Sequence, residues 1–253
     1  MSSVVLAVLL GTISALPLVL GAWIAFRWHL SNRVVGLIAA FGAGALISAI
    51  AFELVLEAFE HRGPAGLAPP LALGAIVYFL GSKYLERRRQ TGRSGGRGLA
   101  LLMGATLDGI PESFILGISI AAGGGLSLPF LMAVVVSNLP EGMASAAELK
   151  EDPQYTAGRI LRMWGIVMCV SAGVAGFGAF VGALRTMTGA SAQAFAAGAL
   201  LTMLIDDLVP EARERGGLGA GLAAVFGFAV AFALHQLSAQ AHAVFGVKTS
   251  AST

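Results

Sequence analysis

Phe41 to Gly63 reads FGAGALISAIAFELVLEAFEHRG, and Phe195 to Gly217 reads FAAGALLTMLIDDLVPEARERGG. Laid together without a gap, at an offset of 154, the two stretches agree at 11 of 23 positions. Shared small apolar residues explain part of the agreement. The paired acids Glu53 with Asp207, Glu57 with Glu211 and Glu60 with Glu214 do not follow from hydrophobicity. Each stretch is apolar at first and acidic toward its end, which predicts two related membrane helices.

The chain around them has the composition of a polytopic membrane protein. Of 253 residues, 57% are hydrophobic and 12% charged, and the mean hydropathy is +0.82. Charge-poor runs at 3–26, 34–56, 67–85, 99–122, 127–149, 160–184, 191–210 and 218–240 are each long enough to span a bilayer as a helix. Eight spans use about 160 residues, too many to leave room for a soluble domain of ordinary size. A soluble enzyme on a membrane anchor is thereby excluded, and residues 1–253 are expected to form a single transmembrane domain, all-α. The first run lacks a basic leader and is too long for a cleaved signal segment, so it is expected to be retained. The single cysteine, Cys169, excludes an intrachain disulfide and a thiolate cluster, and is expected to be a small buried apolar residue.

Lys and Arg divide unequally between alternate connections. Thirteen fall on one side, at Arg27, Arg33, the group from Lys83 to Arg97, Lys150, Arg159, Arg162, Arg213 and Arg215; the other side holds Arg62, Arg185 and Lys248. The positive-inside rule makes the first side cytoplasmic and puts both termini outside. Trp23, Trp28, Trp164 and Tyr84 then fall near cytoplasmic ends, where interfacial aromatics belong. The stretch at about 86–98 is expected to be a flexible basic loop that anchors topology and favours anionic lipid rather than nucleic acid. In this orientation Phe41–Gly63 runs outward and Phe195–Gly217 inward. The repeat is therefore inverted, with spans 1–3 mirrored by 6–8 and spans 4 and 5 between them, a 3+2+3 plan characteristic of transporters.

Spans 4 and 5 carry the chemistry. Leu107-Asp-Gly-Ile-Pro-Glu-Ser113 and Ser137-Asn-Leu-Pro-Glu-Gly-Met143 put Asp108 with Glu112, and Ser137 with Glu141, four residues apart on one helix face; Asn138 shares the face with Glu141. Pro111 and Pro140 lack an amide hydrogen, which frees the carbonyls of Leu107 and Val136 and predicts a kink in each helix. A carboxylate near the bilayer centre costs on the order of 3 kcal/mol or more unless paired, and neither span contains a Lys or Arg. A bound cation is the simplest counter-charge, and oxygen donors suit a hard one.

These two Pro-Glu segments, followed by Phe-Ala-Ala-Gly-Ala-Leu-Leu-Thr-Met-Leu-Ile-Asp-Asp-Leu-Val-Pro-Glu in the seventh span, resemble the ZIP family of divalent metal transporters over nearly the whole chain. That family reads His-Asn-x-Pro-Glu-Gly in its fourth helix and His-x-x-Pro-Glu-Gly in its fifth, around a binuclear zinc site. The resemblance implies Glu112 and Glu141 as bridging metal ligands, with Asp108, Ser137 and Asn138 completing the set. It implies a cargo of zinc, with manganese, iron or cadmium as alternatives, moved into the cytoplasm by alternating access, often within a homodimer, in a bacterial inner (plasma) membrane. No cofactor or enzymatic activity is implied. This chain departs from the family at Asp108 and Ser137, where histidines are usual, at Gly109, where asparagine is, and near Gly176, where a sixth-helix glutamate is missing.

Other polar residues are candidates for a pathway. Glu53 and Asp207 suit a vestibule or auxiliary role, and Asp206, Glu211 and Glu148 approach the cytoplasmic boundary. His235 is expected to be a hydrogen-bonded packing residue rather than a ligand. Two other functions fit such a chain: an intramembrane aspartyl hydrolase using Asp108 and Asp207, and a proton-coupled carrier of a small solute.

Overall fold

Serines start the first two helices. The Ser2 hydroxyl accepts the Val5 amide at 3.4 Å to open α1 (Ser3–Arg27), and Ser31 accepts Val34 at 3.3 Å to open α2 (Asn32–Ala49). Each satisfies an amide that a helix start leaves without a carbonyl. In this computed structural model, which describes residues 2–28, 31–90, 97–121, 128–150, 152–183 and 189–245, α2 passes directly into a π-helical segment, π1 (Ile50–Val55), and then into α3 (Leu56–Gln90). There follow α4 (Arg97–Ala121), α5 (Leu128–Lys150), α6 (Ala157–Ala183), α7 (Gly189–Met203), a second π-helical segment π2 (Leu204–Leu208), α8 (Val209–Gly216), a 3-10 turn at Gly217–Gly219 and α9 (Ala220–Phe245). No strand occurs among the described residues.

Five stretches, Ser3–Arg27, Asn32–Tyr84, Leu128–Ala147, Ala157–Ala183 and Gly189–Gln240, are long and apolar enough to cross a membrane. The architecture is that of an α-helical membrane protein. Two of these stretches, of 53 and 52 residues, far exceed the roughly 20 residues that span a bilayer. Each is broken at a glycine, Gly63 (φ 64, ψ 179) and Gly217 (φ 64, ψ −146). Such dihedrals are essentially closed to residues with a Cβ. The offset of 154 carries Gly63 onto Gly217, and it carries the start of π1 onto the start of π2.

Close crossings hold the helices together. α2 packs on α9, and the part of α3 beyond Gly63 packs on α7. At the first crossing Gly44 lies against the backbone of Ala224 and Gly227 against that of Phe41; at the second Gly198 lies against Leu71 and Gly74 against Phe195. α1 packs on α5 and α6, and α4 on α6. Small residues let backbones approach where lipid supplies no hydrophobic drive between helices. Leu46, Ile50, Ile115, Ile118, Val134, Leu200 and Leu204 fill the largest core cluster, while Leu73, Ile76, Leu222, Val225 and Phe226 point outward, as expected of lipid-facing positions.

α4 and α5 run on as helices through Pro111 and Pro140, because a helix can absorb one missing amide bond when neighbouring helices support it. Three details differ from the sequence expectations. Trp164 is fully buried among Leu149, Ile160 and Val167 rather than interfacial. Cys169 faces outward, where its weakly polar thiol suits an apolar surrounding. The basic stretch expected as a loop over about 86–98 is helical at both ends, in α3 to Gln90 and in α4 from Arg97, and residues 91–96 lie outside the described set.

Candidate functional site

The fourfold spacing within α4 and α5 brings the acids into one electrostatic cluster. Asp108 and Glu112 lie one turn apart on α4, Ser137 and Glu141 one turn apart on α5. Glu112 is 3% exposed and Asn138 6%, Ser137 is buried, and Asp108 and Glu141 are half-buried. Glu141 lies within electrostatic reach of Asp108, Glu112, Glu211 and Asp207, and Asp108 within reach of Asp207 and Glu211.

Hydrogen bonds fix these groups from neighbouring helices. The Asn138 amide donates to the Ser14 carbonyl of α1 at 2.9 Å and is also hydrogen-bonded to Glu112. The Ser137 hydroxyl donates to the Val134 carbonyl of its own helix at 3.0 Å, which leaves its oxygen to act as an acceptor. Tyr78 of α3, 3% exposed, places its hydroxyl between Asp108 of α4 and Asp207 of π2, hydrogen-bonded to both and 2.9 Å from Asp207 Oδ2. A phenol has one proton to give, so the two carboxylates compete for it. Among the described residues, no three His, Cys, Asp or Glu side chains converge closely enough to hold a metal ion. Asp108 and Glu112 are instead engaged by Tyr78 and Asn138.

The pathway candidates separate into two places. Asp207 and Glu211 join the cluster, and Glu211 pairs with Arg215 at 3.0 Å. Asp206 and Asp207, adjacent in π2, are both exposed. Glu53 lies in π1, the counterpart of π2, but faces His235 Nδ1 at 2.5 Å and neighbours Glu57. The His235 ring stacks on Phe52, so this histidine is hydrogen-bonded in the packing, as expected. The side chain of Glu148 lies outside the described residues. Ser171 of α6 faces Gly109, and Gly176 packs on Val8 of α1.

The chain matches no family model and no curated protein. Both repeat acids, Glu53 and Asp207, occupy π-helical segments, which re-aim side chains and recur at functional sites. Tyr78 is the participant that sequence reasoning missed. Its signal was available: it is a tyrosine well inside a span rather than at an interface, where its hydroxyl requires a partner.

Proposed function

We propose that the chain is a divalent-cation transporter of the ZIP kind, with zinc the favoured cargo and manganese, iron or cadmium the alternatives. It crosses the membrane eight times with both termini outside, spans 1–3 and 6–8 forming the inverted repeat, and passes its ion between α4 and α5 into the cytoplasm. One observation carries this reading: Asp108, Glu112 and Glu141 cluster inside helices whose spans contain no Lys or Arg. Each such carboxylate costs on the order of 3 kcal/mol in the membrane when uncompensated, and a divalent cation offsets two charges at once. The equivalent π segments, glycine breaks and glycine crossings support the repeat, because two matched halves can exchange conformations about a central site.

The ion meets Asp108, Glu112 and Glu141 as carboxylates, with the Ser137 hydroxyl oxygen and the Asn138 carbonyl oxygen as further donors. To bind, it exchanges with the hydrogen bonds that now hold Asp108 and Glu112. An ion entering a negative interior gains about 4.6 kcal/mol per 100 mV for its two charges, equal to about three decades of accumulation. No nucleotide hydrolysis is required.

A second reading has one observation in its favour. Asp108 and Asp207, far apart in sequence, meet at a single hydroxyl, as the two acids of an intramembrane aspartyl hydrolase must meet at a water. Here the Tyr78 phenol occupies the position between them. Uptake of zinc, cadmium, manganese, iron and cobalt into proteoliposomes tests the proposal. Saturable uptake of at least one ion supports it, and no uptake of any with cleavage of a membrane peptide favours the hydrolase.

A further inference from the structure

We propose that Tyr78 is a latch: its hydroxyl ties Asp108 of α4 to Asp207 of π2, and a cation that takes Asp108 unties the two. The inference rests on the cation-transport reading and adds to it a positioning residue for loading and release.

Three observations carry it. Tyr78 is buried and comes from α3, a helix that contributes none of the candidate ligands, yet its hydroxyl contacts one of them, Asp108. It reaches at the same time Asp207, in the π-helical segment of the helix on which α3 packs most tightly, through the Gly74–Phe195 and Gly198–Leu71 approaches. The hydrogen bonds thus join α4, on one side, to the paired α3 and α7–π2 on the other. Third, the tie can be released without stranding a buried donor. When Asp108 turns to a cation, the phenol proton passes wholly into its bond with Asp207, so no unsatisfied hydroxyl is left, which would otherwise carry a penalty.

The tie holds Asp108 through the Tyr78 hydroxyl, so a cation has to compete with Tyr78 for it. Hydrogen bonds to charged groups are strong enough for this competition to alter affinity about tenfold. Loading frees α4 from α3 and π2. Release on the far side is helped when Tyr78 recovers Asp108.

The test uses the full-length protein purified in detergent, titrated with zinc and followed by tyrosine absorption difference as well as by zinc affinity. The chain has three tyrosines, Tyr78, Tyr84 and Tyr155. Zinc is expected to produce a tyrosine difference spectrum in the wild type. The same spectrum should persist in the Tyr84→Phe/Tyr155→Phe double variant and vanish in Tyr78→Phe. Tyr78→Phe should bind zinc about tenfold more tightly. In proteoliposomes it should show a lower KM together with a lower kcat, because the competitor for Asp108 and the aid to release are lost at once; damage to packing alone would not tighten binding. Zinc binding without a tyrosine signal, loss of the signal in the double variant, or unchanged affinity in Tyr78→Phe overturns the latch while leaving transport standing. The first two results decide the matter even if Tyr78→Phe does not fold. A wild-type protein that binds no divalent cation overturns the transport reading itself, and the latch with it.

Discussion

Alanine at Gly44 should loosen the protein, whereas alanine at Gly173 should tighten it. A Cβ at Gly44 would stand 2.6 Å from the carbonyl carbon of Ala224 and 2.9 Å from its Cα, where carbon atoms in contact sit about 3.5–4.0 Å apart. The nearest obstructing atom, the Ala224 carbonyl oxygen, is closer still, and helix backbone cannot turn aside, so α2 and α9 must separate by more than about 1 Å. Overpacking of this kind costs about 1–3 kcal/mol. Replacing a helical glycine returns about 0.5–1 kcal/mol in chain entropy, so the net loss is up to about 2.5 kcal/mol. At Gly173 nothing lies within 4 Å of an added Cβ, and only the gain remains. Gly198→Ala, whose Cβ would meet the carbonyl carbon of Leu71 at 2.8 Å and the Ala75 amide nitrogen at 3.0 Å, should match Gly44→Ala in sign and size. Thermal unfolding of the four proteins in one detergent measures this. The expected order puts Gly173→Ala above the wild type, with Gly44→Ala and Gly198→Ala below it. If Gly44→Ala unfolds as late as Gly173→Ala, the packing argument is wrong, and unequal losses at 44 and 198 count against the repeat.

Gly63→Ala should lose about 1–3 kcal/mol through backbone strain alone, because its φ is 64° and no atom crowds the site; Gly217→Ala should behave alike, and unfolding temperatures equal to wild type would contradict both. In a Cys169→Ala background, a cysteine at Arg93 should react with an impermeant reagent only from inside and one at Ser191 only from outside, whereas labelling of both from outside would overturn the eight-helix orientation. The double change Asp108→His and Ser137→His replaces two oxygen donors by imidazole and should raise zinc and cadmium uptake relative to manganese. An unchanged zinc-to-manganese ratio in competition uptake would show that these positions do not set selectivity.

Helix positions were legible because apolar runs bounded by charge are the strongest signal a membrane chain carries. The runs at 3–26, 99–122, 127–149 and 160–184 became α1, α4, α5 and α6 with ends shifted by three residues or fewer. The matched acids at 53 and 207 fall in π1 and π2, an irregularity common to both halves that the apolar pattern does not announce. What the sequence hid were facts about which side of a helix faces protein. In a bilayer both the lipid-facing and the packed faces are apolar, so periodicity does not separate them. Hence Trp164, expected at the interface, is buried, and Cys169, expected to be buried, faces outward. The cluster itself was half legible. Spacing within α4 and α5 grouped Asp108, Glu112, Ser137, Asn138 and Glu141, but Tyr78 enters only through the tertiary packing of α3 on α7.

The decisive measurement is zinc uptake into proteoliposomes under an inside-negative potential, for the wild type and for Glu112→Gln and Glu141→Gln, which keep side-chain size and remove one charge each. Saturable wild-type uptake that both substitutions abolish, with both proteins inserted at wild-type levels, is the predicted result. Uptake that persists at the wild-type rate in either variant would contradict a cation path between α4 and α5.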